Sequence, residues 1–326
     1  MPDVSTVDRL EVLVLIDNAT DSLSTNPASV VSEWPGLLSR GRMRMISGAN
    51  ICCAHHGLSL LITAYTGGEK RTLLFDAGPE AATFLRNTKI LGVDFAEVET
   101  VVLSHGHWDH AGGLVAAIEN IAGSRPDASV DCIVHPDMFV ERAMRTPKGE
   151  FMAFESVPSP ARLAGAGARV VATREPHLSG GGAFYTSGEI ARTTKYEAGL
   201  PGHVSRREGE KDWAPDPLIM DERFVSVHVR DKGQMVFSAC SHAGLINVLN
   251  HARATFPSVP VYGVMGGLHL SGATEKIIPE TIEDLKGFGL KLLAPGHCTG
   301  WRAVAAMAKA FGDELVPSAV GKRYLI

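Results

Sequence analysis

The chain has 326 residues, 45% of them hydrophobic, and a formal net charge of −5. That length can bury a sizeable core, and an acidic balance without a basic block argues against a nucleic-acid or membrane-surface binder. The five cysteines, Cys52, Cys53, Cys132, Cys240 and Cys298, are odd in number and form no CxxC pair, which argues against a disulfide framework or a structural zinc site and for a reducing compartment. The first residues, MPDVSTVDRL, lack the basic start, apolar core and cleavage site of a secretory signal, and the longest apolar runs are strand-sized. A cytoplasmic protein without a membrane span is expected.

In chain order, residues 10–16 (LEVLVLI) read as a buried strand ended by Asp17-Asn18. Residues 19–50 carry few periodic signals and read as a long loop. Runs 58–65 and 71–75 flank Thr66-Gly67-Gly68-Glu69-Lys70, a hairpin signal. Asp76-Ala77-Gly78-Pro79 breaks the second strand, and 80–91 reads as a helix. Val101-Val102-Leu103 is a short strand, 113–121 a helix and 130–134 a further strand. Residues 145–217, rich in Gly, Pro, Ser and Thr, show too little apolar periodicity for a core of their own, and read as an insertion lying over or beside a site. The second half repeats the logic: strands at 224–229 and 234–237, a helix at 243–255, a strand at 259–264, a helix at 278–288, a strand at 291–294 and a closing helix at 300–311. Strands in hairpins with interspersed helices give an α/β or α+β class.

The chemistry concentrates after the fourth of these strands, Val101-Val102-Leu103. In Ser104-His105-Gly106-His107-Trp108-Asp109-His110-Ala111-Gly112-Gly113, three imidazoles and a carboxylate fall within six residues. A strand ending in nitrogen and oxygen ligands suits zinc or a similar borderline metal. Four ligands on so short a loop suggest two ions, because one tetrahedral ion could not easily take all four. Two later histidines stand between a strand and a helix: His242 in Cys240-Ser241-His242-Ala243-Gly244, and His297 in Pro295-Gly296-His297-Cys298-Thr299-Gly300. Strand-end loops are where sites are built.

The His-x-His-x-Asp-His pattern resembles the signature of the metallo-β-lactamase superfamily. The resemblance implies a four-layer αββα sandwich over residues 1–326, with the 145–217 insertion near the active site. It assigns His105, His107 and His242 to one divalent ion, and Asp109, His110 and His297 to a second. It places Asp76, in Leu73-Leu74-Phe75-Asp76-Ala77-Gly78, beside the metals, holding a ligand imidazole in its tautomer. Members commonly carry a bridging aspartate where this chain offers Cys240-Ser241-His242, so Cys240 is a candidate soft ligand. Segments 240–247, 266–270 and 295–300, with 15–18 and 187–192, further resemble the subgroup of 7,8-dihydropterin-6-yl-methyl-4-(β-D-ribofuranosyl)aminobenzene-5′-phosphate synthases and related metal-dependent hydrolases. His269, after two glycines, is a candidate proton or hydrogen-bond donor, and Arg192 a candidate partner for a substrate phosphate or carboxylate.

The first expectation is a dinuclear metallohydrolase. A metal-bound hydroxide would attack an ester, lactone or phosphoester of a small molecule, with Asp109 orienting the nucleophile. Zinc suits the ligands, and manganese or iron use the same set. The alternative is a synthase in which the metals activate a pterin pyrophosphate and a carbon nucleophile replaces water, a reaction that needs room for two substrates. A non-catalytic metal-binding sensor is a third reading.

Overall fold

The structure, a computed structural model, describes residues 2–126 and 128–326. Two large sheets lie face to face. One runs in the order Ala168–Ala172, Val130–Val134, Val98–Val102, Glu69–Phe75, Ser59–Thr66, Arg9–Ile16, Arg323–Leu325, Val30–Val31. The other runs His177–Ser179, Phe184–Thr186, Phe224–Val229, Gly233–Ser238, Val261–Gly267, Leu292–Gly296, with Thr6–Val7 beside Phe224–Val229.

Period-two side-chain alternation builds the layers. In Arg9–Ile16, Leu10, Val12 and Val14 enter the core between the sheets, while Leu13 and Leu15 face the opposite way. Val225, Val227, Met235 and Phe237 meet them from the second sheet. On the first sheet's outer face pack Phe84 and Leu91 of the helix Ala81–Leu91, and Leu114, Ile118 and Ile121 of the helix Leu114–Ser124. On the second sheet's outer face pack Leu245, Val248 and Leu249 of the helix Leu245–Thr255, Leu285 of Ile278–Lys286, and Ala303 and Met307 of Trp301–Phe311. The order is helix, sheet, sheet, helix.

Two expectations are corrected. The stretch 19–50 is not all loop: it holds the two-residue strand Val30–Val31 and the seven-residue helix Glu33–Ser39, both too short to leave much periodic signal. The segment 145–217 is not one insertion. Ala168–Ala172 is the edge of the first sheet, and His177–Ser179 with Phe184–Thr186 extends the second. Three further strands of the segment join Glu141–Arg145, which leads into it, in a separate four-stranded sheet ordered Ala214–Pro215, His203–Arg206, Glu141–Arg145, Phe151–Ala153, and Pro160–Gly165 is a short helix. Among the described residues no helix is long and apolar enough to cross a membrane.

The strands Glu69–Phe75 and Val98–Val102 are parallel, as are Gly233–Ser238, Val261–Gly267 and Leu292–Gly296. The loops after these five strands meet at one edge of the sandwich, where they carry Asp76, the 104–113 run, Cys240 with His242, His269, and His297. Carboxyl ends of parallel strands are the usual place for a binding crevice.

Candidate metal centre and active site

The 104–113 run is folded tightly. His107 is extended and is followed by a one-turn helix, Trp108–Ala111. Gly112 then passes so close to the Pro79 carbonyl that a Cβ would collide with backbone, which accounts for the glycine. The result is convergence: ligand atoms of His105, His107 and His242 all lie within 4.8 Å of one another. Asp109 Oδ2 lies 3.7 Å from His110 Nε2 and 3.3 Å from His297 Nε2. The six residues assigned by resemblance to two ions thus form two adjoining buried groups.

The hydrogen bonds fix which ring nitrogens are free. Asp76 Oδ1 accepts the Ser104 amide at 2.7 Å and Oδ2 the Ser104 hydroxyl at 2.8 Å. That hydroxyl, having given its proton to Asp76, can only accept from His105 Nδ1 at 2.9 Å. Asp76 Oδ2 also takes His110 Nδ1 at 2.7 Å, and Asn18 Oδ1 takes His297 Nδ1 at 3.0 Å. Each donor nitrogen leaves the opposite Nε2 bare and pointing into the centre. Asp76 therefore orients one ligand imidazole directly and another through Ser104.

Buried carboxylates also pin the loops. Asp221 accepts the Gly106 amide at 2.8 Å, Glu222 accepts those of His242 at 2.8 Å and Ala243 at 2.6 Å, and Asp17 accepts that of His297 at 2.8 Å. Among the described residues, four of the six non-glycine residues with positive φ border this centre: Asp76, Ser241, His269 and His297. Such strain, about 1–3 kcal/mol per residue, persists where surrounding structure over-determines the backbone.

The electrostatics suit cations. Burial pushes His105, His107 and His242 well below the ordinary imidazole range, holding them neutral. Burial would raise the Asp109 carboxyl, but the surrounding His110, His297 and His56 imidazoles hold it well below the usual range. His242 has neither ring nitrogen partnered, and His297 Nε2 is likewise buried without a partner. Unpartnered buried nitrogens beside a charged carboxylate are expensive unless something binds them. Divalent cations fit this donor set.

The remaining candidates separate. Cys240 is buried with Sγ 3.2 Å from His110 Nε2, and its sulfur lies within 4.8 Å of ligand atoms in both groups. His269 packs its ring 4.5 Å from that of His242, and its Nδ1 is unpartnered. Arg192 is corrected: its guanidinium donates to the Ile190 and Leu218 carbonyls and does not line the cavity beside the centre. That cavity, about 530 Å³, is bordered by His56, Trp108, Asp109, Phe154, His269 and Cys298. Residues the sequence reading missed include His56, 3.4 Å from Asp109, the pinning acids Asp221 and Glu222, and His203, whose Nε2 lies 3.1 Å from His107 Nε2. None sits in a local motif. His56 and His203 each border a glycine, while Asp221 and Glu222 lie in the charged run Asp221-Glu222-Arg223, which reads as an ordinary polar turn.

The sequence profile described as the metallo-beta-lactamase superfamily matches residues 55–121. A relative from Methanocaldococcus jannaschii, named 7,8-dihydropterin-6-methyl-4-(beta-D-ribofuranosyl)-aminobenzene-5'-phosphate synthase, is 30% identical over 271 residues, covering 82% of this chain and 89% of that protein. The chain belongs to the metallo-β-lactamase superfamily. Its fold is shared with Tm1679, described as a metal-dependent hydrolase of the beta-lactamase superfamily (TM-score 0.70, 21% identity, 96% of this chain and 98% of that one), and with YhfI from Bacillus subtilis (TM-score 0.51, 13% identity, 98% and 100%). These likenesses show the superfamily fold alone. The expectation that the chain is a hydrolase is corrected by the M. jannaschii relative, whose name is that of a synthase. The chain is an enzyme of the metallo-β-lactamase superfamily, and the ligand motif that suggested hydrolysis is common ground for several reactions.

Proposed function

We propose that this chain is a metal-dependent synthase that joins a dihydropterin-6-methyl group, presented as its pyrophosphate, to a 4-(β-D-ribofuranosyl)aminobenzene 5′-phosphate. The observation that carries this is the 30% identity across 89% of a relative named for that product. The cavity supports it. At about 530 Å³ it falls within the roughly 300–1,000 Å³ typical of small-molecule sites, and its lining includes the aromatic side chains of Trp108 and Phe154, a residue type that pairs well with aromatic substrates.

The bond made is carbon–nitrogen. The amine nitrogen of the aminobenzene attacks the pterin methylene carbon, the pyrophosphate oxygen leaves with the bonding pair, and the amine gives up a proton. In this reading the nucleophile is the amine nitrogen in place of the carbon first expected, because the amine lone pair is the ready nucleophile of an aminobenzene. His105, His107 and His242 would hold one divalent ion, and Asp109, His110 and His297 a second. Bound there, the ions supply neutralising charge to the departing pyrophosphate. The nitrogen-rich set suits zinc, while manganese and iron use the same ligands. His269 lines the cavity, and in this reading its imidazole takes the amine proton. Phe154, Met144 and Leu200 give the cavity apolar lining, which in this reading limits water at the methylene. Small-molecule partners and a cytoplasmic setting accompany this reading.

The test is mass spectrometry of zinc- or manganese-loaded protein incubated with both substrates. The joined product should form, and should vanish with a chelator. Metal shown to be bound, with no joined product from either ion, would overturn the proposal.

A further inference from the structure

His107 differs from the other histidines of the centre. His105 and His110 are oriented through Asp76, and His297 through Asn18. The outer nitrogen of His107 meets no carboxylate or carbonyl. It meets another imidazole, that of His203, at 3.1 Å, and His203 is itself buried.

We infer that His203 is a positioning residue: it accepts the Nε2 proton of His107 and so holds His107 in the tautomer whose Nδ1 is bare and faces the metal-binding group. The direction follows from the far side of His203. Its Nδ1 lies 2.7 Å from the Asp216 carbonyl, and a carbonyl only accepts, so that nitrogen carries the proton. The Nε2 of neutral His203 then has a lone pair and no hydrogen. His107 Nε2 must donate to it, which leaves His107 Nδ1 unprotonated, 3.1 Å from His105 Nε2 and within reach of His242.

The four-stranded sheet delivers this contact. His203 pairs in register with Met144, next to the Phe151–Ala153 strand. Phe154, whose amide is held by the Arg142 carbonyl at 2.8 Å, sets its ring edge-on to His107 at 5.3 Å and 85°. His107 is therefore gripped from the sheet side by one hydrogen bond and one edge-on aromatic contact. That gives the sheet a task at the metal centre whatever reaction the centre performs.

Two readouts test this without any turnover. In zinc-loaded protein carrying ¹⁵N-histidine, long-range proton–nitrogen correlations should show the His107 proton on Nε2 and zinc on Nδ1. A proton on Nδ1 would overturn the inference. Zinc affinity, measured by competition with a chromophoric chelator, should fall by roughly 10–100-fold in His203→Leu. His203→Gln, whose amide oxygen can still accept, should recover most of it at a similar melting temperature. Unchanged affinity in His203→Leu, or equal loss in both variants, would overturn it. If His203→Leu does not fold, the wild-type spectrum still decides.

Discussion

One buried carboxylate, Asp76, sets the proton positions of two imidazoles, and does so from a left-handed backbone with φ 59°. Asn tolerates that backbone, so Asp76→Asn isolates the side-chain chemistry. Its amide cannot accept from Ser104 and His110 as the carboxylate does. Zinc affinity should drop by roughly 10–100-fold with the fold retained by circular dichroism. Affinity equal to wild type would show that the two imidazoles need no such partner. At this scale legibility in the sequence follows chain separation. His105, His107, Asp109 and His110 were legible because they share one loop. His242 and His297 were legible because strand-end histidines are few. Asp221, which holds Gly106 from 115 positions away, and His203, which meets His107 from 96 positions away, are joined to the centre only by tertiary contacts.

At the scale of elements, the two halves of the centre are kept in register by close backbone passages and by helix caps. Gly112 has an ordinary helical φ of −62°, so its requirement is space: a Cβ would enter the Pro79 carbonyl. Gly112→Ala should displace the one-turn helix carrying Asp109 and His110, lowering both melting temperature and zinc affinity. A variant that melts and binds like wild type would contradict that packing. Glu197 caps the helix Leu245–Thr255, accepting the Ile246 amide at 2.8 Å and the Asn247 amide at 2.9 Å. Burial raises its carboxyl from 4.5 to about 7, against the pull of those amides. A raised carboxyl means that the folded chain holds a proton the unfolded chain has released. The associated stability is complete below about pH 4.5 and is lost as pH rises through about 7. The melting temperature of metal-free protein should therefore decline more steeply between about pH 4.5 and 7 than that of Glu197→Gln. Identical slopes would contradict it. Long buried strands such as Arg9–Ile16 were legible in the sequence, since burial on both faces writes a near-continuous apolar run. The three-residue strands of 145–217 were not, because their pairing is chosen by the sheet they join.

For the whole molecule, the sandwich is a frame that brings the carboxyl ends of parallel strands from both sheets to one edge, with a small third sheet pressed against the metal loop. The four-layer order was expected from the resemblance and is present in the structure. The reaction was not legible. A centre of histidines and one aspartate can serve water or an amine as nucleophile, and the ligand pattern does not distinguish them. What separates the two is whether the pyrophosphate departs without an acceptor. The most direct measurement is phosphorus NMR of pyrophosphate release from the dihydropterin-methyl pyrophosphate by metal-loaded protein, with and without the ribofuranosylaminobenzene phosphate. A synthase releases pyrophosphate only when the amine is present, in step with joined product. Release at the same rate without the amine, and no joined product with it, would contradict the account.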